Sequence, residues 1–248
     1  MAAEPLYRKV VAGYEDNDRG EDARVLAERL VERDGGELKG VHVEKGSPAD
    51  ALQALAEKGE ADLIVLGSTH HAAFGSVAPG SVAEQLLHGA RCRLVIAPKG
   101  YAEEDHSQDR LRVVAVGYDG MAESQAALEE AAALARKFGA SMRVIGVVPP
   151  VPPLGAAAAA QTDAEGGPDF HTRIHQAVAA LEPELRALPV IEKGDPVEKL
   201  LEDAELGVDL LVLGSRGFGP VMRLLIGSVS SRVIRRAPCP VLVVPRPA

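Results

Sequence analysis

The chain has no tryptophan, and aromatic residues make up only 3% of its 248 positions, so aliphatic side chains and alanine must fill its core. Cysteine is nearly absent as well. Cys92 and Cys239 are the only two, which excludes a scaffold built on disulfides. Positive charge is in deficit, with Lys+Arg 27 against Asp+Glu 36 and a formal net charge of -9. That balance argues against the basic face by which proteins grip nucleic-acid phosphates. It leaves room for an anion held by backbone N–H groups, which net charge does not report. No apolar run approaches the roughly 18 residues of a membrane span. Met1-Ala2-Ala3-Glu4-Pro5 has neither the basic stretch nor the apolar run of a signal peptide. The expectation is a soluble, cytoplasmic protein. Three catalytic signatures are also missing: a Gly-x4-Gly-Lys-Ser/Thr loop, His-Glu-x2-His, and a Gly-x-Ser-x-Gly elbow. No organised general base stands beside a nucleophile.

What the chain does contain is itself, twice. Asp62–Pro98 laid over Asp209–Pro245 needs no gap at an offset of 209 − 62 = 147, and 12 of 37 positions are identical. Upstream, Val43-Glu44-Lys45-Gly46-Ser47-Pro48 answers Ile191-Glu192-Lys193-Gly194-Asp195-Pro196 at an offset of 148. Gly13-Tyr14-Glu15 answers Gly117-Tyr118-Asp119 at 104. The first copy is therefore 148 − 104 = 44 residues shorter between these landmarks, about the length of one strand and one helix. Two domains follow, not a solenoid. Residues 1–102 form a shortened copy, 103–110 a polar linker, and 111–248 a complete copy.

The complete copy alternates strands and helices. Val113–Gly117 is a short apolar run, followed by a helix with Ala127, Leu128, Ala131, Leu134 and Ala135 on one face. Met142–Val148 reads as the second strand. The Pro-, Gly- and Ala-rich stretch 149–168 connects it to a helix near Thr172–Ala187 that Pro183 kinks or splits. Pro189–Glu192, Leu210–Leu213 and Val241–Val244 complete five strands, and Ser228–Arg236 is the last helix. Asp195-Pro196-Val197-Glu198 has the form of a helix start: Asp195 as N-cap, Pro196 at the first position, Glu198 closing a capping box. Ser47-Pro48-Ala49-Asp50 repeats that layout. The class is α/β, with doubly wound parallel sheets.

The chemistry-bearing segment is Gly214-Ser215-Arg216-Gly217, nine residues, then Gly227-Ser228. It runs from the end of an apolar strand to the start of a helix, where ligands sit in such sheets. Glycines let the backbone approach a phosphate, and N–H groups near Ser228–Ser230 can face it. Arg216 and Arg223 fit either a phosphate contact or a solvated surface. The plainer alternative is that these glycines only shape a tight turn. The first copy keeps Gly67 and Gly80-Ser81, but His70 stands where Gly217 does and Glu15 where Asp119 does. His70-His71 with His88 nearby lacks the Cys or carboxylate partners of a metal site. Cys92 and Cys239 match in the alignment and read as small buried residues.

On the duplication and the Gly-x2-Gly-x9-Gly-Ser pattern, the chain resembles a tandem member of the universal stress protein family over nearly its whole length. The resemblance implies a Rossmann-like sheet in the order 3-2-1-4-5 in the complete copy, with ATP across the carboxyl ends of strands one and four. It implies that Asp119 faces the ribose or a phosphate-bound Mg²⁺, that Gly117 and Tyr118 border the base, and that Val148 packs on adenine. Leu213, Gly214, Gly217, Gly227, Ser228, Val229 and Ser230 would line the triphosphate and ribose. It also implies that the apolar last strands of the two copies pair antiparallel within the chain, and leaves homodimerisation of whole chains open. The function it implies is a cytoplasmic stress-response protein acting as an ATP-dependent regulatory module, with an unknown protein partner. Slow ATP hydrolysis or autophosphorylation on Ser228 or Ser230 is one alternative, and a nucleotide-free assembly protein is another.

Overall fold

Our computed structural model describes residues 4–13, 18–32, 35–41, 47–69, 71–89, 91–104, 111–150, 168–215 and 227–245. The first half comprises β1 (Lys9–Gly13), α1 (Asp18–Glu32), β2 (Glu37–Val41), α2 (Pro48–Glu57), β3 (Leu63–Gly67), α3 (Ser81–Leu87) and β4 (Arg93–Ala97). A 3₁₀ turn at Tyr101–Glu103 follows. The second half comprises β5 (Val113–Gly117), α4 (Ala122–Phe138), β6 (Ser141–Val148), α5 (Pro168–Ala179), β7 (Leu188–Lys193), α6 (Pro196–Glu205), β8 (Leu210–Gly214), α7 (Ser228–Ile234) and β9 (Val241–Val244).

Local sequence explains most of these boundaries. Asp195 caps α6, accepting the N–H of Val197 at 2.8 Å and of Glu198 at 3.3 Å, and Ser47 caps α2 through the N–H of Asp50 at 3.2 Å. Glu198 does not close a capping box. Its carboxylate reaches across to Arg236, Oε1 lying 2.6 Å from Nη1, because a full guanidinium outcompetes one backbone N–H. The expected helix through Ala187 ends at Ala179, and a separate 3₁₀ turn begins at Pro183. Proline disfavours helical backbone in the residue before it, and Glu182 is extended (φ −64°, ψ 137°).

All nine strands join one sheet in the order β2-β1-β3-β4-β9-β8-β5-β6-β7. Within the second half the order β7-β6-β5-β8-β9 is the 3-2-1-4-5 arrangement. Central strands β3 and β8, Leu-Ile-Val-Leu-Gly and Leu-Leu-Val-Leu-Gly, bury four residues in succession, as strands covered on both faces must. Edge strands β2 and β7 are half-exposed and carry Glu37, Lys39, Glu192 and Lys193, with Pro189 also on the edge, features that blunt association. Helices α1, α4 and α5 cover one face, and α2, α3, α6 and α7 the other. Each face has a single apolar cluster running through both halves. A repeated brace shows the duplication in atomic detail. Asp62 Oδ2 accepts the N–H groups of Arg8 and Lys9 at 2.9 and 3.0 Å, and Asp209 Oδ2 accepts those of Arg112 and Val113 at 2.8 and 2.9 Å.

The halves meet where β4 pairs antiparallel with β9, with Leu94 opposite Val243, Val95 opposite Leu242, and Ile96 opposite Val241. Val95 and Leu242 are repeat equivalents, since 242 − 95 = 147, so a local twofold axis passes between them. Among the described residues the shortened copy has four strands. β2 precedes the Ser47-Pro48 helix as β7 precedes the Asp195-Pro196 helix, yet β2 lies beside β1, in the place β6 takes beside β5. Its register is that of β6 as well, since Lys9 opposite Glu37 answers Val113 opposite Ser141 at the offset of 104, so β2 is the counterpart of β6 and the missing unit is α5 with β7.

Candidate functional site

A cavity of about 610 Å³ opens at the carboxyl ends of β5, β6 and β8, a size typical of small-molecule sites. Its floor is glycine. Gly117 ends β5 and Gly214 ends β8, and a Cβ on Gly214 would lie 2.4 Å from the carbonyl oxygen of Glu123, so the first turn of α4 sits directly on the strand end. Ile145 and Val147 of β6, Leu200 of α6 and Leu213 of β8 form an apolar wall, and Val229 adds to it from the head of α7.

The polar groups converge from the other side. Asp119, just after β5, has its Oδ1 held by Ser124 Oγ at 2.7 Å and by the N–H of Met121 at 3.0 Å. These bonds fix the carboxylate at the cavity and brace the turn that leads into α4. Glu123 and Ser124 line the cavity from the start of α4, and Ser230 Oγ donates to the carbonyl of Gly214 at 3.3 Å. Tyr118 OH donates to Gln125 Oε1 at 3.2 Å. Burial raises the Tyr118 phenol, the adjacent Asp119 carboxylate raises it further, and Arg173 partly opposes both.

Of the residues singled out from sequence, Gly117, Tyr118, Asp119, Leu213, Gly214, Gly227, Val229 and Ser230 line this one cavity. Val148 does not. It is 6% exposed and packs with Met142 and Val144 in the cluster under α4 and α5, while the alternate residues Ile145 and Val147 face the cavity. Ser228 is the exposed first residue of α7 and is not among the lining residues. Gly217, Arg216 and Arg223 lie outside the described residues, as do Glu15 and His70. Sequence reasoning missed Met121, Glu123 and Ser124, and also Ile145, Val147, Pro149, Pro196 and Leu200. The only available signal was the helix start three residues after Asp119.

The corresponding loop of the first half is packed down. Ser68 Oγ donates to the carbonyl of Ala97 at 2.7 Å and accepts the N–H of Ala78 at 3.1 Å. Ala72 and Val77 are buried, and the N–H of Val77 donates to the carbonyl of Ala237 in the second half at 2.8 Å. Cys92 and Cys239 are free and buried, and burial pushes both thiols up to about 12. Among the described residues no three His, Cys, Asp or Glu side chains gather as metal ligands, and no helix is long and apolar enough to cross a membrane.

A tandem α/β sheet with a glycine-floored cavity at the strand ends of its second half defines the class. The sequence model of the universal stress protein family matches residues 1–98 and again 110–245, and the chain belongs to that family. A universal stress protein of Mycobacterium tuberculosis is 31% identical over 235 residues, covering 88% of this chain and 77% of its own length. The crystal structure of a universal stress protein from Archaeoglobus fulgidus superimposes with a TM-score of 0.67 at 20% identity, covering 97% of this chain and 98% of that one. Another member, 27% identical and matching 56% of this chain with a TM-score of 0.38, was crystallised in complex with cAMP.

Proposed function

We propose that the second half binds one adenine nucleotide, ATP, and that the protein acts as a nucleotide-dependent regulatory module. One observation carries the reading. At the carboxyl ends of β5 and β8, two glycines, an apolar wall and a pre-positioned carboxylate converge on a single cavity. The apolar wall suits a base, and the glycine floor admits the backbone to close approach. Asp119 and Glu123 are carboxylates at its rim, oxygen donors of the kind a magnesium ion carried by the triphosphate takes. The corresponding loop of the first half is packed onto its own body and onto the second half, which favours a single site per chain.

Calorimetric titration of the full chain with ATP and Mg²⁺ is expected to reach a stoichiometry of one. Asp119→Ala should weaken that binding, and single-turnover incubation with labelled ATP should return it intact. A ratio of two, no heat at all, or label transferred to Ser228 or Ser230 would each overturn the reading.

A further inference from the structure

Charged contacts cross the seam between the halves, and the local twofold axis gives them a consequence for partner choice. Glu130, in the middle of α4, is only 6% exposed. Its Oε1 accepts the hydroxyl of Tyr7 at 2.6 Å, and Arg93 donates to it twice, Nε to Oε1 and Nη2 to Oε2, both at 2.7 Å. Tyr7 and Arg93 belong to the first half and Glu130 to the second. At the end of α7, Arg235 Nη2 lies 2.6 Å from Glu84 Oε1 on α3, again joining second half to first.

The repeat offsets name the mate of every one of these residues. Adding 104 takes Tyr7 to Leu111 and Leu26 to Glu130; adding 147 takes Arg93 to Pro240 and Glu84 to Ser231. On the other side of the axis the equivalent of the Glu130–Tyr7–Arg93 group is therefore Leu26 facing Leu111 and Pro240. Leu26 and Leu111 are buried in one apolar cluster. The same backbone seam is charged on one side and greasy on the other.

Like pairing fails on this pattern. Two second halves meeting through β9 would each set a buried Glu130 against Leu111 and Pro240, neither of which has a side-chain donor to offer. Each Arg235 would face Ser231. Two first halves meeting through β4 would set Arg93 and Tyr7 against Leu26. A buried charge without a partner is far costlier than a paired one or an apolar contact. We infer that Glu130, read by Tyr7 and Arg93, is a pairing code that directs the β9 edge onto a first-half partner and excludes a second copy of the same edge. The edge is thus reserved for the chain's own first half.

The full chain carrying Leu242→Cys tests this, because residue 242 lies on the axis. In the observed pairing its thiol faces Val95, whereas in β9–β9 pairing two such thiols from two chains face each other. After refolding at high chain concentration and mild oxidation, Leu242→Cys alone should give no interchain bridge at residue 242. Added to Y7L/R93L/E130L, which makes both sides of the axis apolar, it should give at least about tenfold more. A bridge at 242 in the otherwise unaltered chain, or no increase in the leucine background, overturns the inference. A second measurement stands even if the leucine variant folds poorly. Adding E130L to R93L should raise the unfolding midpoint, because it removes a stranded carboxylate; a further fall, or no change, overturns the inference as well.

Discussion

Gly214→Ala tests how closely the fold and the candidate site are coupled. A Cβ on Gly214 would lie 2.4 Å from the carbonyl oxygen of Glu123, 2.7 Å from its carbon and 3.2 Å from the nitrogen of Ser124. All three obstacles are backbone, so no side-chain rotation relieves them. Even the tightest contact real Cβ atoms make, 3.0 Å, requires the start of α4 to retreat by about 3.0 − 2.4 = 0.6 Å. That helix is anchored by Ala127, Leu128 and Ala131, which are at most 2% exposed. Overpacking of this kind typically costs about 1–3 kcal/mol, and a backbone obstacle places the change toward the upper end. Gly117→Ala is the matched control. There a Cβ meets only side-chain tips, Leu213 Cδ2 at 3.0 Å and Leu200 Cδ2 at 3.4 Å, so a cost below about 1 kcal/mol is expected. The retreat in Gly214→Ala also carries Ser124 away from Asp119. Binding should therefore fall by about tenfold for each 1.4 kcal/mol lost at the site. Urea unfolding of both variants, with nucleotide titration well below the transition, provides the comparison. Equal stabilities for Gly214→Ala and Gly117→Ala would refute the steric reasoning.

Asp119→Ala should weaken ATP binding by about tenfold or more, the usual value of a hydrogen bond to a charged group; unchanged affinity by calorimetry would remove Asp119 from the site. Ser124→Ala should weaken binding less, since it frees the Asp119 carboxylate without removing it, and an effect larger than that of Asp119→Ala would contradict the geometry. Burial holds the Cys92 and Cys239 thiols near 12, above their unfolded range of about 8.5, so the stability they support is present below the unfolded value and falls as pH rises toward 12. Each contributes a slope of up to about 1.4 kcal/mol per pH unit in that window; an alkaline stability profile unaltered by replacing both cysteines with alanine would refute this. His70→Gly should not give the chain a second nucleotide site, because the loop around it is held by Ser68, Val77 and Lys99; a titration ratio of two in that variant would show that one side chain disabled the first copy.

Sequence alone determined the duplication, the α/β class, the order of elements and most of the strands, because each rests on local signals: aligned landmarks, uninterrupted apolar runs, and Asp or Ser before Pro. It also determined that Asp119, Gly117 and Gly214 stand at strand ends, which is where such sheets bind ligands. Tertiary structure decided which face of β6 meets the cavity. Alternation separates Ile145 and Val147 from Val144 and Val148, but nothing local says which set faces the ligand when both faces of the strand are covered. It decided that Glu198 bonds Arg236 in preference to its own helix end, a contact spanning 38 residues. It decided that β2 is the counterpart of β6 and that α5 with β7 is the lost unit, since a deletion shows its length in sequence but not which strand's place in the sheet it empties. The charged seam needed the fold most of all. Tyr7, Arg93 and Glu130 carry no motif, and they meet only because antiparallel pairing of β4 with β9 brings residues 123 and 37 positions apart onto one buried carboxylate.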